Sequence, residues 1–101
     1  MDTVTAEKLQ NTLREAVRGY ATLALNGVSY FMSNEDARAY AVVFIGETPH
    51  ERIADAGLIA RVADDRIIIE QDMGNKPLVE TLIASGVPRE QIVLAYAGER
   101  I

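Results

Sequence analysis

The only histidine, His50, lies in the segment Gly46-Glu47-Thr48-Pro49-His50, with Glu51 beside it. It is the one side chain whose ordinary pKa places proton exchange near neutral pH. A general base there is conceivable, but Pro49 marks a turn, where a histidine is ordinarily solvated. One histidine with carboxylates also lacks the several nitrogen or sulfur ligands that zinc takes. Asp64-Asp65 could hold a divalent cation, yet paired aspartates in a hairpin form turns by hydrogen-bonding their own backbone. Glu70 and Asp72 share a strand face with Ile68 in strict alternation. Paired carboxylates can do acid–base work, and on a strand edge they also discourage aggregation. Gly74-Asn75-Lys76 before a helix could cradle an anion, but without the spacing of a phosphate loop or a dinucleotide fingerprint. Ser29, Ser33 and Ser85 have no histidine partner suggested by the sequence. These residues read as turns, caps and edges. No catalytic, cofactor-binding or metal-ligating set is assigned, and the chain is expected not to be an enzyme.

Composition narrows the classes further. The 101 residues suit one domain, with 49% hydrophobic and 25% charged side chains. There is no cysteine, so disulfides and thiolate chemistry are excluded and a cytoplasmic location is expected. No apolar run approaches the ~20 residues that span a bilayer, so no membrane association is expected. Ten basic residues scattered among fifteen acidic ones give a net charge of −5. Binding to nucleic acid draws much of its affinity from basic side chains that release counterions, so the balance argues against direct nucleic-acid binding.

Periodicity places these residues on elements. Leu9, Leu13, Ala16, Val17, Tyr20, Ala21 and Ala24 form one helical stripe, capped by Thr5 and ended by Asn26-Gly27. Val28–Met32 is a strand. Arg38–Ile45 is apolar almost throughout, which predicts a central strand covered on both faces. From Arg52 to Ala63, Ala54, Ala56, Leu58, Ala60 and Val62 alternate onto one face, small enough to lie beneath a helix. Asp64-Asp65 turns this strand into Ile67–Ile69. Asn75 caps a second helix through Leu78, Val79, Leu82 and Ile83; Gly86 and Pro88 end it, and Ile92–Tyr96 returns as a strand. The order α-β-β-β-β-α-β predicts an α+β fold with a mainly antiparallel sheet and both helices on one face. Two helices shield only one side of such a sheet, so a two-fold homodimer is the default way to cover the other.

The last forty residues carry a family resemblance. Ile59–Val62, Asp64–Asp72 and Leu78–Ala84, followed by Gly86-Val87-Pro88-Arg89-Glu90-Gln91-Ile92-Val93-Leu94-Ala95-Tyr96, resemble the XisI-like family of fdxN element excision controlling factors. Upstream, Tyr20-Ala21, Arg38, Tyr40, Gly46 and Arg52 are collinear with that family's pattern. Glu47 stands where the family often has tryptophan, and Arg61 where it often has histidine.

The resemblance implies an accessory factor in programmed DNA excision, acting by protein contact on a recombinase or a XisH-like, nuclease-related partner. Arg38, Arg52 and Arg61 are the partner-contact candidates, because arginine is favoured at interfaces. Two further readings are a small ligand- or nucleotide-binding domain or enzyme using the Gly74–Lys76 segment, and a direct DNA-binding regulator.

Overall fold

The computed structural model describes residues 3–24 and 26–101. Helix α1 (Ala6–Arg18) opens with Thr5, whose hydroxyl accepts from the Lys8 amide at 3.3 Å, a cap contributing about 1 kcal/mol. Leu9, Leu13 and Val17 line its inner face and are fully buried. The helix ends at Gly19 rather than at Asn26-Gly27. Leu23–Ala24 forms a short strand, β1, that pairs back on Gly27–Val28. Asn26-Gly27 therefore belongs to a hairpin: ladder hydrogen bonds outweigh the helical spacing that Tyr20, Ala21 and Ala24 share with the true stripe.

β2 (Gly27–Asn34), β3 (Ala39–Glu47), β4 (Arg52–Ala63), β5 (Arg66–Asp72) and β6 (Ile92–Leu94) complete a sheet ordered β1-β2-β3-β4-β5-β6. Every pairing is antiparallel except β5 with β6, which are joined through α2 (Leu78–Ala84) and run parallel. The α+β architecture, with its mainly antiparallel sheet, is the one expected. Ala63 pairs with Arg66, so Asp64-Asp65 makes a two-residue turn with Asp64 in the left-handed region at φ 55°. Gly86, at φ 100°, ends α2 as the sequence predicts, with its own amide on Ile83 O and that of Val87 on Leu82 O.

Leu9, Leu13 and Val17 of α1 and Leu78 and Leu82 of α2 pack on one sheet face, against Tyr40, Val42, Leu58, Ala60, Val62, Ile67, Ile69 and Ile92. Four corrections to the sequence reading follow from geometry. First, β4 bulges at Gly57: Val42 faces Leu58, but Val43 faces Ala56. Leu58, Ala60 and Val62 thus point to the helices, while Ala54 and Ala56 turn to the opposite face. Second, β3 is covered on one face only, and Ile45 is exposed. Third, a second bulge, at Glu70, separates Ile59–Gln71 from Ala60–Ile69. Glu70 and Asp72 consequently do not share a face. Glu70 binds Arg61, whereas Asp72 accepts from the first amide of α2, that of Leu78. Fourth, the last strand ends at Leu94, because Ala95–Ala97 turns and Gly98 (φ 90°) sends the chain back, so that Glu99 accepts from the Leu94 amide.

Two local features hold this arrangement. Gly27 and Gly46 are cross-strand partners, and the Phe44 ring lies over both; a Cβ would sit 2.6 Å from Phe44 Cζ at Gly27 and 2.7 Å at Gly46. Gln91 is the one buried polar residue among those described, and its amide acts as a splice. It accepts from Val4 N at 2.8 Å and donates to Val4 O at 3.0 Å and to Asp65 O at 2.7 Å. The chain before α1, the β4–β5 turn and the start of β6 are tied through one side chain.

Gly46→Ala is expected to cost about 1–3 kcal/mol through overpacking against the Asn26 carbonyl and the Phe44 ring, read as a lowered urea midpoint with an unchanged m-value. Gln91→Leu leaves the Val4 and Asp65 groups without a partner and is expected to cost about 1–3 kcal/mol. Hydrogen exchange at the Val4 amide should accelerate in that variant, while the amides at the centre of β3 and β4 keep their order of protection.

Candidate functional surface

β2, β3 and β4 turn nine apolar side chains away from the helices. Their register sets three rows: Val28, Ile45, Ala54; Tyr30, Val43, Ala56; and Met32, Ala41, Ile59. Tyr30, Met32 and Ile45 are 46%, 49% and 39% exposed. No charge interrupts the rows. Over β5 the same side of the sheet is closed, because the turn Ala95–Ala97 packs there and Ile68 and Val93 are buried. The bare area is thus confined to β2–β4. Ala54 and Ala56 belong to it because of the Gly57 bulge, whose freed Ala56 carbonyl is taken by the Gln71 side chain.

The residues singled out for chemistry are dispersed. His50 is exposed at the tip of the β3–β4 hairpin, where its amide and that of Glu51 donate to the Thr48 hydroxyl. Asp64-Asp65 lies at the β4–β5 turn, at the far end of β4 from His50. Asp72 replaces Asn75 as the cap of α2: its carboxylate accepts from Leu78 N at 2.7 Å and Gly74 N at 3.4 Å. The amides that the sequence offered to an anion at Gly74–Lys76 are in part engaged by this carboxylate. Ser85, just past the end of α2, donates to Thr81 O of that helix. Among the described residues no three His, Asp or Glu side chains come together as metal ligands.

A cavity of about 200 Å³ opens on the helix side at the Gly57 bulge, lined by Tyr20, Ser29, Leu58, Asp72 and Met73. Two of its polar groups are partnered, since Tyr20 Oη meets Thr81 Oγ1 at 2.8 Å and Asp72 caps α2.

The three arginines expected at a contact surface do not converge. Arg38 sits in the β2–β3 turn at φ 53°, and its carbonyl accepts from Val62 N. Arg61 lies beside that turn, opposite Ala39, and bonds Glu70 at 2.8 Å on the open face. Arg52 pairs with Glu47 at 2.7 Å at the other end of β4, nine residues or about 30 Å from Arg61.

The strongest electrostatic feature was missed by sequence reasoning. Glu35, in the β2–β3 turn, takes Arg14 on both carboxylate oxygens, the Gln10 amide at 3.1 Å and the Tyr40 hydroxyl at 2.9 Å. Arg14 above all holds the Glu35 carboxyl down to about 2, and burial pushes the Tyr40 phenol up. Tyr40 stacks on Phe31 with ring centres 6.1 Å apart, and Arg18 covers the far ring at 5.1 Å. The turn is latched to α1 by charge as well as by packing.

The sequence matches the family model for the XisI protein over residues 1–101. The chain belongs to the XisI family. No curated protein matches the sequence. Among solved structures it is similar to a XisI-like protein from Anabaena variabilis ATCC 29413, at 22% identity and a TM-score of 0.78, over 88% of this chain and 84% of that one. It is also similar to the fdxN element excision controlling factor XisI from Anabaena variabilis ATCC 29413, at 20% identity and a TM-score of 0.73, over 90% and 86% of the two chains. The recognisable ending of this XisI-family chain, Gly86–Tyr96, owes its form to structure. It holds the α2 stop, the Gln91 splice and the parallel strand.

The Glu35 latch fixes a pH dependence. A carboxyl lowered from 4.5 to about 2 contributes stability that is full above its ordinary pKa and is lost as pH falls towards 2. The Glu35 carbon resonance is expected to titrate near 2, and in Arg14→Met to return towards the ordinary range. The acid-induced fall in urea midpoint between pH 4.5 and 2 should shrink in that variant.

Proposed function

We propose that this chain is a non-catalytic accessory factor that controls excision of a DNA element by contacting a site-specific recombinase or a XisH-like, nuclease-related protein. Membership of the XisI family supports the reading, as does the similarity to a protein described as an fdxN element excision controlling factor. The observation that carries it is electrostatic. Arg14, Arg52, Arg61 and Arg89 each hold a carboxylate of the same chain, at 2.5–2.8 Å. With those guanidiniums engaged and a net charge of −5, the exterior favours a basic protein over phosphate. An acidic subunit is steered onto a basic nuclease or recombinase surface and can mask it there. The site of action is the cytoplasm, and no helix among the described residues is long and apolar enough to cross a membrane.

Purified chain mixed at about micromolar concentration with the XisH-like protein or the recombinase is expected to comigrate with one of them on size exclusion, and the complex should weaken as salt is added. The chain alone should pass a duplex-DNA column without retention. Elution apart from both proteins, together with DNA retention that falls steeply with salt, would overturn the reading in favour of a DNA-binding regulator.

A further inference from the structure

The nine-residue apolar face on β2–β4 remains bare after both helices and the C-terminal turn have packed. We propose that a second copy of this chain covers it, related by a two-fold axis running parallel to β3 between the two sheets. This is independent of the excision reading.

Three observations select a second copy as the occupant. The first is charge. None of the nine side chains is charged, and the rows are bordered at either end by an ion pair that is neutral as a unit, Arg61 with Glu70 at 2.8 Å and Arg52 with Glu47 at 2.7 Å. The surface offers nothing for an acidic or basic partner to recognise, and packed sheets lie ~10 Å apart, so the net −5 carried elsewhere is largely screened at physiological salt.

The second is shape. Bulk falls across the strands in two of the three rows, from Val28 and Tyr30 on β2 to Ala54 and Ala56 on β4, while the third row sets Met32 and Ile59 at its two sides. Over those two rows a partner must therefore be full over β4 and hollow over β2. The face itself meets that demand once turned about an axis along β3, which lays Tyr30 over Ala56 of the other copy and Val28 over its Ala54. An in-plane axis across the strands would instead set β2 on β2, large against large, and leave the alanines unfilled. Facing positions that alternate large and small are what let two layers interdigitate. The chosen axis also keeps the strands of the two sheets aligned, the common geometry of face-to-face packing.

The third is area. Each position on one face of a sheet spans about 4.8 by 6.8 Å, so nine cover about 300 Å² in flat projection. Two copies together thus cover about 600 Å² in flat projection, which with side-chain relief and the flanking ion pairs falls among the transient interfaces below ~1,200 Å². Tyr30 supplies the central aromatic anchor, an apolar ring with a polar tip. An interface of this size suits a dimer that forms and dissociates rather than an obligate one.

The absence of cysteine makes the axis directly testable. Sedimentation equilibrium of the full chain from about 1 to 300 µM should show a monomer–dimer transition, shifted to at least about tenfold higher concentration in Tyr30→Asp and in Met32→Glu. Far-UV circular dichroism identifies whichever variant keeps its fold. Mixing the single variants Tyr30→Cys and Ala56→Cys under mild oxidation should yield the mixed disulfide faster than either variant forms its own. A chain that stays monomeric to 300 µM would overturn the proposal. So would a Tyr30→Cys homodimer forming faster than the mixed species, because that outcome belongs to the other axis.

Discussion

The one-residue offset at Gly57 is the constraint from which the architecture follows. β4 is long enough to serve two surfaces, and the bulge decides which of its residues serve each. Leu58, Ala60 and Val62 enter the core beneath α1, while Ala54 and Ala56 join Tyr30 and Val43 on the far side. A strand in unbroken alternation would have put all five on the helix face and left Asp55 and Ile53 outside. The groups freed by the offset are taken up locally, the Ala56 carbonyl by Gln71 and the Gly57 carbonyl by the Met73 amide. The bulge is therefore a satisfied element of the sheet rather than a defect in it.

Polar ties then fix what apolar burial leaves loose. Gln91 splices three chain segments with a single amide, and Glu35 latches the β2–β3 turn to α1 through Arg14, Gln10 and Tyr40. Both join residues far apart in sequence, Val4 to Gln91 and Arg14 to Glu35, and both sit where a hydrophobic contact alone would permit sliding. Asp72 does similar work for α2, reaching forward six residues to a helix whose own cap position, Pro77, has no side chain able to bond the amides. A short helix of this kind depends on such outside support, since seven residues are too few to persist alone.

For function, the distribution of charge matters more than any single residue. Four arginines of this XisI-family chain, Arg14, Arg52, Arg61 and Arg89, are held by carboxylates, and nine uncharged side chains line one sheet face. These two surfaces have different chemistry and suit different partners, one electrostatic and one hydrophobic. Arg52 and Arg61, taken as contact candidates, lie at opposite ends of β4 and belong to separate regions of the molecule. Arg38 and Arg61 share one end, where the β2–β3 turn meets the edge of the open face.

Local patterns are written in the sequence, and they were legible there. Thr5, Gly86, Pro88 and the Asp64-Asp65 turn act through neighbouring backbone groups, so residue type alone announces them. The α+β class and the mainly antiparallel sheet follow from the order of hydrophobic runs. The end of α1 was not legible, because Tyr20, Ala21 and Ala24 keep helical spacing while the backbone of Leu23–Ala24 finds a better partner in Gly27–Val28. Neither bulge announces itself, since Gly57 and Glu70 interrupt no alternation that can be read along one strand. Gln91 and Glu35 look like ordinary surface residues until their partners arrive from elsewhere in the chain. Sequence thus determines what depends on neighbours a few residues away; the tertiary structure alone decides register, and with it which face of the sheet is left bare, because register is set by hydrogen bonds between strands that no local pattern encodes.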